Sequence, residues 1–245
     1  MTMTTIMIIT TMTMRTTITN TLTNTSIITE GGARTSHAED NVTEPVPPPL
    51  KRFIWDIQSI VELAESDREI FVIGRDLMAR LVASDDWLPA NFATVDAASP
   101  CRQFHLYTDA MARFCVVSTV LSAGLTLPVC QEPVWEIMGV LRGALGRQRF
   151  ALPAGAPPAA NGAAKLLKPG AVETFSPKSG EAVQLCNAVD DRDSISIHVY
   201  GGDIGELARR AIGPDGNISE FSHGYANAAD WPPYDILSIQ TRIHD

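Results

Sequence analysis

The chain lacks any run of about 18 consecutive apolar residues, the length a helix needs to cross a bilayer. Its four cysteines, Cys101, Cys115, Cys130 and Cys186, form no Cys-x-x-Cys pair, and no secretory signal precedes them. A disulfide framework is therefore not expected; free thiols in a reducing, cytoplasmic compartment are. Positive charge is also scarce, with 19 Lys and Arg against 28 Asp and Glu and a formal net charge of -9. Binding to nucleic acid or an anionic membrane needs a basic footprint, so neither partner is expected.

Acidic residues are missing from the first 29 positions, where Thr, Met and Ile dominate and Arg15 is the one basic residue. A mitochondrial presequence would place several arginines on an amphipathic helix, which Thr and Ile disfavour. Translation of a simple nucleotide repeat upstream of the true start is the preferred reading. Glu30 to Leu50 passes through Gly31-Gly32 and Pro45, Pro47, Pro48 and Pro49, a linker composition. Residues 1–50 are thus expected to lie outside the fold. Residues 51–245, in a chain that is 45% hydrophobic, are expected to form one domain.

From Lys51 the texture changes. Ile54, Ile57, Ile60, Val61 and Leu63 recur at helical spacing, as do Ile73, Leu77, Met78 and Leu81 after Asp67. The spacing predicts two short helices closing at Asp85-Asp86-Trp87-Leu88-Pro89. Beyond Phe104 the pattern becomes that of strands: Phe114 to Leu121, a hairpin over Val134 to Phe150 broken near Gly143, then Ala171 to Phe175, Ala182 to Leu185 and Ser194 to Tyr200. Short strands, frequent turns and few helices point to an all-β barrel with a helical N-terminal flank. Trp87, Trp135 and Trp231 read as packing residues.

The informative spacing is Gly124, five residues, Cys130-x-Glu132, three residues, Glu136, six residues, Gly143. A second is Gly180, two residues, Val183, three residues, Asn187. Both frames resemble the two motifs of cupins, double-stranded β-helix or jelly-roll barrels, with something else at each histidine position. Asp85-Asp86-Trp87-Leu88-Pro89, Arg113 to Ser118, Gly139 to Ala144, Ser194 to Gly202 and Phe221 to Asn227 are similar to the thiol dioxygenases, the cysteine and 3-mercaptopropionate dioxygenases. The similarity covers roughly Lys51 to Asp235, in order.

That resemblance implies Fe(II) held by three neutral histidines, two of them at i and i+2 on one strand face, and oxidation of a small thiol to a sulfinic acid. Here the ligand positions hold Cys130, Glu132 and Val183, and valine has no lone pair to give. Neither iron nor another cofactor is therefore expected. Cys130, Glu132 and Glu136 form the one conceivable substitute site, for another divalent metal such as zinc.

Ser196, His198 and Tyr200 share one strand face. By composition this is a half-solvated face; by resemblance it is an interior relay beside the substrate. Arg209 and Arg210 fall where 3-mercaptopropionate dioxygenases keep an Arg-Arg pair, and by resemblance one of them holds a substrate carboxylate. An extra residue after Gly205 leaves open which one matches, and either could be a solvated surface arginine. His105 and His223 stand at no ligand position. The expected protein is a thiol-dioxygenase-like pseudoenzyme, monomeric or homodimeric, binding a small thiol or carboxylate. The alternative is an enzyme of that family working through the Cys130, Glu132 and Glu136 site.

Overall fold

The polypeptide enters the fold through its prolines. In the computed structural model, which describes residues 46–228 and Tyr234, helix α1 spans Pro48–Leu63 and helix α2 spans Asp67–Leu81. Proline suits a helix's first turn, where its missing N–H has no partner to lose. The expected linker therefore ends earlier than Leu50: Val46 and Leu50 are already buried. The readings of residues 1–45, Trp231 and the tail after Asp235 lie outside the described residues. No described helix is long and apolar enough to cross a membrane.

Among the described residues twelve strands follow: β1 (Cys101–Thr108), β2 (Cys115–Leu121), β3 (Val129–Gln131), β4 (Glu136–Arg142), β5 (Leu145–Ala151), β6 (Ala159–Ala160), β7 (Lys165–Leu167), β8 (Val172–Phe175), β9 (Ala182–Asn187), β10 (Ser194–Tyr200), β11 (Arg209–Ile212) and β12 (Ile218–Phe221). One sheet runs β1-β2-β10-β4-β8 and the other β12-β11-β3-β9-β5-β6, with β7 also paired to β5. Every named strand pairing is antiparallel. From β2 to β5, and again from β7 to β11, successive strands alternate between the two sheets. That alternation winds the sheets into a jelly roll. The chain folds as an all-β cupin-type barrel with a helical N-terminal flank.

The expected hairpin over Val134 to Phe150 is a different structure. β4 pairs with β10 and β8, whereas β5 pairs with β9, β6 and β7, so the chain changes sheets between them. Gly143 makes the corner at φ 72°, and a β-carbon there would sit 2.2 Å from Ser194 Oγ. Alternating hydrophobicity gives strand faces but not strand partners, which is why a two-sheet corner reads as a hairpin.

The first sheet is covered on both sides. Ile195, Ile197 and Val199 of β10 pack with Val116, Ile137 and Leu141 against Leu50, Ile54, Ile57, Leu77 and Met78 of the helices. The alternate residues of the same strands face the barrel interior. Contact is close: a β-carbon on Gly139 would lie 2.7 Å from Met78 Cγ. Every residue of β2 and β10 is buried for this reason.

Candidate functional site

The interior holds a cavity of about 360 Å³. One wall is the first sheet. Tyr200 stands opposite Glu136 across the β10–β4 pairing, and Thr119 stands opposite both Gln103 and Ser196. The facing wall is the second sheet, where Cys130 pairs with Val183 on one side and Ala211 on the other. Continuing the β3–β11 register one step past Arg210 and Gln131 sets Arg209 opposite Glu132. The barrel thus brings Cys130, Glu132, Val183, Glu136, His198, Tyr200 and Arg209 around one space.

His198 sits at the centre of the polar wall, buried and bonded on both ring nitrogens. Nε2 lies 2.8 Å from Ser196 Oγ and Nδ1 lies 2.7 Å from Glu136 Oε1. Burial opposes the charge of Glu136, but the His198 hydrogen bond and the Arg147 guanidinium overcome it and bring its carboxyl down to about 2. The ionised carboxylate accepts a hydrogen bond from Nδ1–H, leaving Nε2 to accept from the Ser196 hydroxyl. Tyr200 Oη is 3.2 Å from the same Nδ1, which then has no lone pair to offer it. Its proton is left for an occupant of the cavity. Burial first, then the charges of Glu136 and Glu132, hold that hydroxyl well above its ordinary pKa, so it acts as a donor and not as an anion. The half-solvated alternative for this face does not describe it: Ser196, His198 and Tyr200 are all buried.

Charge inside the barrel is arranged in pairs. Glu132 Oε1 accepts a close, charge-assisted hydrogen bond from Arg209 Nη2. Burial raises the pKa of Glu132, with Arg209 pulling the other way. Burial likewise works against the Arg209 charge, and Glu132 more than offsets it. Glu136 is 3.6 Å from Arg147, which lies 3.3 Å from Glu173, itself 2.8 Å from Lys165. Arg210 is elsewhere. Its side chain is 56% exposed and its nearest opposite charge is Glu220, 3.7 Å away. Of the arginine pair, Arg209 is the one in the cavity.

The donor set does not fit an iron site. Val183 cannot ligate, Glu132 already faces a guanidinium, and Glu136 is engaged by His198 and Arg147. Burial pushes the Cys130 thiol up to about 11, away from the thiolate a metal takes. Among the described residues no three His, Cys, Asp or Glu side chains are grouped as a metal-binding cluster. The substitute site expected from Cys130, Glu132 and Glu136 is not formed in this arrangement.

His105 lies outside the cavity, its ring stacked on Tyr225 with centroids 4.6 Å apart, while His223 lines the cavity. Trp87 is buried and donates to the Leu81 carbonyl at 3.0 Å. Trp135 packs edge-on to Phe71 at 6.5 Å. Sequence reading missed Gln103, Thr119, Phe221 and the inward-facing Arg147. Only cross-strand register places Gln103 and Thr119 beside Ser196.

No family model matches the chain. Solved structures similar to it include a cupin domain of an XRE family transcriptional regulator from Enterobacter cloacae, at 16% identity over 43% of this chain and 99% of that one, with TM-score 0.33. The DMSP lyase DddQ of Ruegeria pomeroyi matches at 19% identity over 60% of this chain and 70% of that one, with TM-score 0.36. KdgF from a Halomonas species matches at 14% identity over 47% and 91%, also with TM-score 0.36. The strand order described above, and not these distant likenesses, defines the barrel.

Proposed function

We propose that this chain is a thiol-dioxygenase-like cupin that has exchanged iron chemistry for binding a small molecule in its barrel. The observation that carries the reading is the contact between Glu132 and Arg209. A cation of the protein's own is paired with one of the three ligand positions, while another is the aliphatic Val183. A divalent ion brought to Cys130 and Glu132 would meet the guanidinium and have to displace it from its carboxylate. The cavity persists, with Ser196, His198 and Glu136 holding the Tyr200 hydroxyl ready as a donor.

The test is metal content of the purified protein by plasma mass spectrometry, paired with oxygen uptake on cysteine and on 3-mercaptopropionate. The expected result is no stoichiometric metal and no thiol-dependent uptake. Near-stoichiometric iron with uptake overturns the reading, and stoichiometric zinc without uptake overturns its metal-free part.

A further inference from the structure

We infer that the barrel takes an uncharged molecule with a predominantly apolar body, larger than a single benzene ring. This rests on the reading of the cavity as a small-molecule site and names what that site admits.

A cavity selects through the atoms it leaves open, and here the charged ones are closed. Of Arg209, Nη2 is taken by Glu132, Nη1 lies 3.5 Å from Gln103 Oε1, and Nε has almost no accessible surface. Of Glu132, Oε1 is on Arg209 and Oε2 has almost no accessible surface. Glu136 turns Oε1 to His198 at 2.7 Å and Oε2 to Arg147 at 3.6 Å. The guanidinium and both carboxylates are thus turned into the wall and onto their neighbours. An ammonium or a carboxylate entering the barrel gives up its water and meets no open counter-charge.

The remaining polar groups are neutral. Burial first, then the charges of Glu136 and Glu132, hold the Tyr200 hydroxyl protonated, and a carboxylate seated beside it would stand against the same two charges. At the mouth, Ser219 carries no charge. Burial and then the Arg209 charge lower the pKa of His223, so its imidazole is neutral at neutral pH.

What is open is apolar. Most of the surface that the cavity presents is of this kind. Val183 faces in from β9, and Leu127, Pro128, Leu185 and Phe221, all less buried, carry the apolar wall to the mouth. Covering such surface is favourable in proportion to its area. At about 360 Å³ the cavity is well above the roughly 150 Å³ that accommodates one benzene ring, so a two-ring body suits the space.

The experiment compares naphthalene, 2-naphthoate and 2-naphthylmethylamine, which share one body and differ in charge, by methyl NMR titration of the full chain at neutral pH. Naphthalene should bind at least about tenfold tighter than either ion and shift the methyls of Leu127, Val183 and Leu185. Val183→Phe narrows the cavity and should weaken naphthalene at least about tenfold, with circular dichroism showing that the variant is folded. Unchanged affinity in a folded Val183→Phe overturns the inference. Equal or tighter binding of either ion at the same methyls also overturns it and leaves the cavity as a small-molecule site. Shifts confined to other methyls, or none with any of the three up to their solubility, overturn the inference and the small-molecule reading together. The wild-type comparison decides the matter even if Val183→Phe does not fold.

Discussion

Glu132 and Arg209 meet inside the barrel because the β3–β11 ladder sets them opposite each other, one step beyond the rung of Gln131 and Arg210. Their side chains are only 9% and 11% exposed, so the pair is largely out of water. Removing one partner of such a pair costs far more than removing both. Arg209→Met is expected to destabilise the fold by about 3–5 kcal/mol, and Glu132→Leu/Arg209→Met to recover most of that loss. Urea unfolding midpoints of the single and double variants check this. Equal losses in the single and the double variant would show that the two residues do not act as a pair.

The acid limb of stability should report Glu136. Its carboxyl is lowered in the folded protein to about 2 from the ordinary glutamate value of 4.5, by the His198 hydrogen bond and the Arg147 charge. A lowered folded pKa means stability that is complete above about 4.5 and lost as pH falls towards 2. Glu132 is shifted the other way and contributes the opposite slope. Unfolding free energies measured from neutral pH downwards should therefore fall less steeply in Glu136→Gln than in the wild type, and more steeply in Glu132→Gln.

Ser196→Ala tests the buried chain through His198. The substitution leaves Nε2 of a buried imidazole without its partner at 2.8 Å, at a cost of about 1–3 kcal/mol. Nitrogen NMR of the ring should show the same Nδ1–H tautomer in the wild type and the variant, because the Glu136 carboxylate accepts from Nδ1 in both. A tautomer mixture in the variant would show that Ser196 is needed to fix it.

Histidine at positions 130, 132 and 183 together should give Fe(II) binding that the wild type lacks, read by anaerobic titration. Failure in a folded triple variant would mean that the wall itself has shifted and not only its ligands.

Gly143 turns the chain from one sheet to the other at φ 72° against Ser194. Gly143→Ala brings both a disfavoured backbone conformation and overpacking, together about 2–4 kcal/mol of destabilisation. Thermal unfolding checks the size. A loss under about 1 kcal/mol would mean that the corner can open.

Much of this fold was legible in the sequence because burial writes a period into it. Ser194 to Tyr200 alternates hydroxyl, imidazole and phenol with Ile195, Ile197 and Val199, and the strand lies where that alternation puts it. The Gly124 and Gly180 frames likewise bring Cys130, Val183 and Glu136 to one cavity. What stayed hidden depends on partners and not on period. Nothing in Arg209-Arg210 says which guanidinium points inward; β3 decides it by presenting Glu132. Arg147 reads as an ordinary charged strand residue, yet it is buried between Glu136 and Glu173. The prolines at 47–49 carry the composition of a linker, and only the core beneath Leu50 shows that they begin a helix.

One layer of backbone separates the helices from the cavity. Gly139 lies so near Met78 that no side chain fits between them, while Met138 and Val140 on either side face inward. The helical flank is therefore part of the mould that shapes the interior. A change in girth at Met78 or Gly74 should alter which molecules the barrel admits, although neither residue touches them. Trimming the chain back to Cys101 would recast the pocket's floor as well as bare the outer face of the sheet.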